Sequence, residues 1–225
     1  MRLMKWITNL KLIDISFPYK EGMGIYPDNP QYEISKIKSI ETGDNCNVVK
    51  ISLGSHTGTQ VDSPSHVIPN GKSIDEITLE TMNGKARVVD MMGKPEIGLE
   101  ELRNKKILQG EIVLFKTDNT VHYRGDNVLQ EYVTLTYDAA KYLADTEVKL
   151  VGIDYMTIER PRKTRESDKS VHKTLLEKGV LVLESLNLIE VYEGNYRLHC
   201  YPLNIIGSDG SPVRAVLETI DEYTY

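Results

Sequence analysis

The sequence predicts an α/β fold built on a mixed sheet with few helices. Seven short segments have strand patterns, and several of them are almost continuously apolar, as in strands that are buried on both faces and covered by helices. Only two segments carry clear helix signals. Many strands with few helices between them argue against regular βαβ winding. At 225 residues the chain can bury one sizeable core, so we expect a single domain over residues 1–225.

The strand patterns begin with VVKISL, residues 48–53. Its apolar residues alternate with Lys50 and Ser52, which is the period of a half-buried strand. Six further segments have the composition of strands: ARVVDM (86–91), EIVLFKT (111–117), KLVGID (149–154), VLVLE (180–184), LHCYPLNII (198–206) and VRAVLETI (213–220).

Two helices are predicted from their end signals. TYDAAKYLAD, residues 136–145, begins with Thr136, a good N-cap residue. DKSVHKTLLEKG, residues 168–179, begins at Asp168 and stops at Gly179, since glycine commonly ends a helix. A weaker helix signal, DEITLETM, covers residues 75–82.

Composition excludes several classes of function. The formal charge of −6 argues against nucleic acid as a partner, because nucleic-acid binding usually needs a basic surface. The N-terminal sequence MRLMKWITNLKLIDIS is broken by polar residues and lacks the apolar core of a signal peptide. No apolar run has the length of a membrane span. Two cysteines, Cys46 and Cys200, do not form a disulfide framework. We therefore expect a cytoplasmic protein.

The stretch SHTGTQVDSPSH, residues 55–66, contains two of the five histidines. Glycine, proline and β-branched residues make a helix unlikely there. In an extended segment positions 56, 60, 62 and 66 project from one face. A straight strand would still separate His56 from Asp62 by roughly 20 Å, so we expect a bend, which Gly58 permits. A bent segment of this kind predicts a metal cradle. The alternative is a polar loop in which each histidine has a local hydrogen bond.

A basic segment, TIERPRKTRESDKS, covers residues 157–170. It is either a solvated charged loop or an anion-attracting lid, because it leads directly to His172.

The sequence HTGTQVDSPSH resembles the HxGTHxDxPxH signature of the cyclase family of metal-dependent hydrolases, which includes bacterial kynurenine formamidase and isatin hydrolase. It departs from that signature only at Gln60. The resemblance extends to LIDISFPYKEGMGIYPDNP, LVGIDYMTIE, VHKTLLEKGVLVLESLNL and PLNIIGSDGSPVRAVL. It implies a compact β/β/α cyclase-like fold, assembled as a homodimer or homotetramer.

The resemblance also implies the roles of individual residues. Metal ligands are implied at His56, Gln60, Asp62, His172 and Glu184, and a catalytic histidine at His66. Independently, Glu184 ends the apolar VLVL strand, where a carboxylate is costly unless it is paired or bound to a cation. His122 and His199 match nothing in the pattern and are predicted to be structural.

The chemistry implied is hydrolysis of an amide, aryl formamide-like, or of a lactone, in a small cyclic or aryl substrate. One or two Zn²⁺ or Mn²⁺ ions would lower the pKa of water towards neutrality. His66 would transfer a proton to the leaving group.

Gln60 is the departure that leaves alternatives open. An amide oxygen is a weaker donor than imidazole and suits harder ions. Three alternatives follow for the metal site that includes position 60. The site binds its ion more weakly, or it is absent and the enzyme uses a single metal, or metal binding and catalysis are both lost. We expect a functioning enzyme with altered metal preference. The rival hypotheses are a non-catalytic small-molecule-binding protein and a cyclase or dehydratase that uses the same site.

Overall fold

Strands outnumber helices in the computed structural model, which describes residues 11–160 and 169–220. The strands are β1 (Leu12–Asp14), β2 (Glu33–Lys38), β3 (Val48–Ser52), β4 (Gln60–Asp62), β5 (Gly84–Asp90), β6 (Ile112–Lys116), β7 (Leu150–Ile153), β8 (Leu181–Glu184), β9 (Gly194–Pro202) and β10 (Gly210–Thr219). The α-helices are α1 (Leu79–Met82), α2 (Leu99–Lys105), α3 (Asn119–His122), α4 (Tyr137–Asp145) and α5 (Ser170–Leu176). The predicted α/β class with a mixed sheet is confirmed.

The main sheet closes on itself. Its strands run in the order β1-β10-β4-β8-β7-β6-β5-β9, and β9 also pairs with β10. The neighbours β5, β6, β7 and β8 are parallel, whereas the pairs made by β4, β9 and β10 are antiparallel. Strand β10 therefore has three neighbours: its first residues pair with β4, and its later residues pair with β9 and β1. The result is a barrel-like mixed sheet.

The parallel strands form the centre of the core. Every residue of β7 and β8, and all of β6 except its last residue, is buried, as the continuous apolar patterns predict. Burying one such aliphatic side chain contributes about 1.5–3 kcal/mol. Helix α4 begins after the Thr136 cap, whose hydroxyl accepts a hydrogen bond from the N–H of Ala139. Its buried residues include Ala140 and Leu143, and it packs against α5 and α2.

The hairpin of β2 and β3 lies outside this core. All residues of both strands are exposed, so the prediction that residues 48–53 form a half-buried strand is wrong in its burial. The alternation is present, but its apolar residues have no covering layer within the described chain. Ile34, Val49 and Ile51 remain 42%, 47% and 53% exposed.

Several predicted boundaries are also wrong. Strand β9 ends at Pro202, so residues 203–206 are not part of it. The weak helix over residues 75–82 is broken into a 3₁₀ turn (Ile74–Glu76) and α1, because Ile77 and Thr78 are extended. Helix α5 ends at Leu176 rather than at Gly179, and the predicted start at residue 168 lies outside the described residues. Within the described ranges, no helix has the length and apolar content needed to cross a bilayer.

Candidate metal centre

The stretch from residue 55 to residue 66 forms a short buried strand with a bend at each end. Strand β4 lies between β10 and β8, and a 3₁₀ turn over Pro64–His66 follows it. Before the strand, Gly58 has a φ of 65°, a left-handed conformation that glycine adopts without strain. The His56 ring turns back so that its Nδ1 lies 2.9 Å from Oδ1 of Asp62. The bend thus brings together two side chains that a straight strand would hold far apart.

The prediction that four even-numbered positions share one extended face is correct only for two of them. Gln60 and Asp62 both lie in β4. His56 lies in the preceding turn and His66 in the 3₁₀ turn, where proline at the first position fixes the backbone. The side chains converge because the chain bends, and the alternation of a strand contributes only the central pair.

The distal residues join this stretch through sheet pairing. Gln60 lies opposite Glu184 in the β4–β8 register, and Nε2 of Gln60 donates a hydrogen bond of 2.8 Å to Oε2 of Glu184. Helix α5 carries His172, whose Nε2 lies 3.2 Å from Oε1 of Glu184 and 3.4 Å from Oδ2 of Asp62. The structure therefore brings His56, Gln60, Asp62, His172 and Glu184 into one cluster.

Two further carboxylates lie behind the imidazoles, and sequence reasoning missed both. Oε1 of Glu159 lies 3.0 Å from Nδ1 of His172, and Oδ2 of Asp209 lies 3.0 Å from Nε2 of His56. Both belong to segments, LVGIDYMTIE and PLNIIGSDGSPVRAVL, that resemble the family. Each imidazole therefore lies between a carboxylate of the cluster and one outside it.

Backbone groups hold the carboxylates in place. The N–H of Ile158 donates to Oε1 of Glu184 at 2.7 Å, and the N–H of Val171 donates to Oε2 of Glu159 at 2.9 Å. The latter bond also satisfies a free N–H in the first turn of α5. After Glu184, Ser185 adopts a left-handed backbone with a φ of 56°, which turns the chain away at the end of β8.

The buried carboxylates favour positive charge in the cluster. Burial opposes a charged His56, but hydrogen bonds with Asp209 and Asp62 raise its pKa to about 10. Burial likewise opposes charge on His172, and the surrounding carboxylates raise its pKa well above the usual value. Although burial favours the neutral acid, the nearby nitrogens of His172 and His56 hold the pKa of Asp62 far below its ordinary range. A cation in this place is electrostatically favourable.

Among the described residues, two buried acceptors in the cluster have no hydrogen-bond partner, Oε1 of Gln60 and Oδ2 of Asp62. An unsatisfied buried acceptor costs about 1–3 kcal/mol. The amide nitrogen of Gln60 faces Glu184, because the amide oxygen would be repelled there, so the oxygen is the free atom. Imidazole nitrogens together with carboxylate and amide oxygens are suitable donors for a divalent transition metal. The residues present therefore fit a metal ion.

His66 lies beside both other imidazoles. Its ring centroid is 4.1 Å from that of His56 and 5.7 Å from that of His172. The side chain is 20% exposed, whereas that of His172 is only 1% exposed. A ring nitrogen of His66 lies within 4.8 Å of ligand atoms of Asp62 and His172. His66 is thus more exposed than His172 and lies next to both Asp62 and His172.

The remaining histidines lie elsewhere. His199 pairs with Glu218 at 2.7 Å across β9 and β10, and His122 ends α3. Of the basic segment, Arg160 bonds to Glu131 and to the carbonyl of Tyr132. The anion-attracting lid remains untested because residues 161–168 lie outside the described part of the chain.

Comparison with known proteins identifies the family. Residues 13–160 match the Cyclase family model. The chain belongs to the Cyclase family. Among curated Cyclase-like relatives, the kynurenine formamidase of Bacillus mycoides (strain KBAB4) is 31% identical over 98% of this chain and 100% of its own length. The kynurenine formamidase of Salinibacter ruber (strain DSM 13855 / M31) is 34% identical over 92% of this chain and 97% of its own.

Solved structures of similar proteins share the fold. One described as a potential metal-dependent hydrolase with cyclase activity has a TM-score of 0.81 and 31% identity, covering 94% of this chain and 99% of its own. Isatin hydrolase A from Labrenzia aggregata has a TM-score of 0.81 at 21% identity, covering 94% of each chain. The predicted Cyclase family membership is therefore confirmed.

Proposed function

We propose that this protein is a metal-dependent hydrolase that cleaves the amide C–N bond of a small aryl formamide-like substrate. The observation that carries the proposal is the pair of orphaned acceptors, on Gln60 and Asp62, inside a buried cluster of imidazoles and carboxylates. Full-length relatives named kynurenine formamidase support the reaction class.

Two groups of residues would hold the metal. Asp62 directs Oδ1 towards His56 and Oδ2 towards His172. The His56 side with Gln60 would hold one ion, and the His172 side with Glu184 would hold another, with Asp62 shared. Nitrogen and oxygen donors of this kind suit Zn²⁺ or Mn²⁺. When bound, such an ion lowers the pKa of water and stabilises negative charge on a carbonyl oxygen.

The chain itself would position the substrate and move the proton. We assign His66 the role of acid and base: it would accept a proton from the attacking water and deliver it to the leaving amine nitrogen. Its position beside His56 and its partial exposure support this role, because an acid–base group must reach both the buried site and the substrate.

A neighbouring cavity supports an aryl substrate. It has a volume of about 360 Å³, within the range of small-molecule sites, and its walls include Tyr26, Tyr132 and Tyr155. Thr157, also in its wall, is followed by Ile158, whose N–H binds Glu184. An aromatic ring in this cavity would find edge or face partners near the cluster.

The test is the metal content of the purified protein together with hydrolysis of N-formylkynurenine and simple aryl formamides. We expect one or two transition-metal ions per chain and turnover that a chelator abolishes and added metal restores. Absence of metal and of turnover would instead indicate a binding protein.

The test of His66 is His66→Ala at saturating metal. We expect turnover to fall about 10²–10⁴-fold while metal content stays unchanged. His199→Ala is the matched control, since it removes an imidazole that lies outside the cluster. Loss of an ion from the His66 variant would make His66 a ligand.

We also propose that the protein is a homodimer or homotetramer in a reducing, cytoplasmic compartment. The exposed apolar residues of the β2–β3 hairpin support assembly, because a lone two-stranded hairpin is marginally stable in water. Free thiols at Cys46 and Cys200 support the compartment. Light scattering of wild type and of Ile51→Lys tests the assembly: we expect a smaller particle for the variant. Cell fractionation tests the compartment.

A further inference from the structure

Asp209 is fixed to the metal-binding stretch by its backbone. It directly precedes β10, and its carbonyl accepts a hydrogen bond of 3.0 Å from the N–H of Ser63. This bond extends the pairing in which Gly210 lies opposite Asp62. The side chain of Asp209 is 44% exposed, so it contributes little to the core. Sheet pairing sets the position of the Asp209 backbone beside the cluster. The carboxylate is not needed for packing and is available to contact the site.

The carboxylate of Asp209 contacts both imidazoles of the motif. Oδ2 lies 3.0 Å from Nε2 of His56 and 3.5 Å from Nδ1 of His66, the latter at the outer limit of a hydrogen bond. Oδ1 accepts a hydrogen bond of 2.8 Å from the hydroxyl of Ser55, which fixes the rotation of the carboxylate. One acidic oxygen therefore faces a proposed metal ligand and the proposed acid–base group together.

These contacts determine which nitrogen of each ring carries the proton. A carboxylate opposite Nε2 of His56 holds N–H there and leaves the Nδ1 lone pair towards Asp62, where the ion would bind. The same carboxylate faces Nδ1 of His66 at 3.5 Å, and a negative charge there favours N–H at that atom. Nε2 of His66 then keeps a lone pair for proton transfer.

We propose that Asp209 is a positioning residue that sets the tautomers of His56 and His66 at once. This proposal rests on the proposed function of the site. Glu159 makes the corresponding contact with His172, whereas Asp209 faces a proposed ligand and the proposed acid–base group together. Loss of its carboxylate would affect two properties: the metal affinity on the His56 side and the rate of proton transfer by His66.

The experiment compares Asp209→Ala with Asp75→Ala. Asp75 is a matched control because it anchors the same loop, accepting a 2.9 Å hydrogen bond from the N–H of Gly207, yet it touches no residue of the cluster. For Asp209→Ala we expect metal affinity to fall about 10–100-fold, as for other outer-shell partners. At saturating metal we expect kcat to fall while KM changes little.

Two readouts separate positioning from a merely structural role. Because Asp209 is partly exposed, sodium acetate should enter the space left by alanine and restore kcat, whereas sodium chloride should not. In the zinc-loaded protein, ¹⁵N NMR of the histidine rings should show the Nδ1–H tautomer of His66 in the wild type. A mixture of tautomers is expected in Asp209→Ala and the wild-type pattern in Asp75→Ala. This readout needs no turnover, so failure of the proposed function is distinguishable from failure of the role of Asp209.

Three results would overturn the proposal. Loss of one ion per chain from Asp209→Ala at saturating metal would make Asp209 a ligand. Equal losses in the two aspartate variants, with no response to acetate, would make it a loop anchor. An unchanged His66 tautomer in Asp209→Ala would remove the link to proton transfer.

Discussion

Raising the pH should destabilise the metal-free protein, because His56 holds an additional proton only in the folded state. The pKa of His56 is 6.5 in an unfolded chain and about 10 in the folded cluster. Its contribution is complete below pH 6.5 and is lost as the pH rises through 10. Between these values the folded state binds one more proton, so the free energy of unfolding falls by about 1.4 kcal/mol per pH unit.

From pH 7 to pH 9 this amounts to a loss of about 3 kcal/mol from His56 alone. The raised pKa of His172 acts in the same direction. In the metal-loaded protein the sign reverses, because metal ions compete with protons for the imidazole nitrogens and bind more tightly as the pH rises.

Urea unfolding of chelator-treated protein, followed by circular dichroism at pH 7 and pH 9, measures the effect. In His56→Gln, the pH dependence of the free energy of unfolding should be smaller by about 1.4 kcal/mol per pH unit. A free energy of unfolding in the metal-free protein that stays flat or rises over this range would refute the reasoning.

Three further predictions concern the metal. Gln60→His should increase affinity for Zn²⁺ relative to Mn²⁺, since imidazole suits zinc better than an amide oxygen does; an unchanged ratio in calorimetric titrations would mean that position 60 does not bind metal. Gly210→Ala should weaken metal binding and destabilise the fold by about 1–3 kcal/mol, because the added Cβ would lie 2.9 Å from Cε1 of His56 and 2.8 Å from the carbonyl of Val61; chelator competition and urea unfolding measure both. Glu159→Ala should lower metal affinity about 10–100-fold by releasing His172; competition with a chromophoric chelator checks this, and wild-type affinity would show that the contact is dispensable.

The sequence predicted the strands whose burial follows from their own composition. The apolar runs that became β6, β7 and β8 can only be buried, whatever lies around them. The alternation in VVKISL also indicated a strand, but a pattern does not state what covers the apolar face. In the described chain nothing covers it, and Ile51 is exposed. Strand β4 was not predicted as a strand, because three residues between two bends are too few to show a periodicity. The sequence indicated only that the segment is bent.

The candidate site was predictable where its residues are close in sequence. The spacing of His56, Gln60 and Asp62 indicated a shared site. The strand-end position of Glu184 indicated an unusual carboxylate. Glu159 and Asp209 gave no such signal, because an acidic residue in a loop is ordinary and only the sheet pairing places it behind a histidine. The closeness of Gly210 to the His56 ring is a property of the barrel closure and has no local signature.

The triple pairing of β10 has a consequence for the order in which the protein can be made. The parallel strands β5 to β8 lie in the middle of the chain and can pair while synthesis continues, but the ring stays open until residues 210–219 have left the ribosome. Closure then joins segments about two hundred residues apart, such as Lys11 and Thr219, and such distant pairing is slow. Until that moment β4 lacks its neighbour on one side, and the carboxylate of Asp209 has not reached the imidazoles. A nascent chain therefore holds the acidic side chains of the cluster without the frame that orients them, and the proposed metal site is complete only when folding is complete.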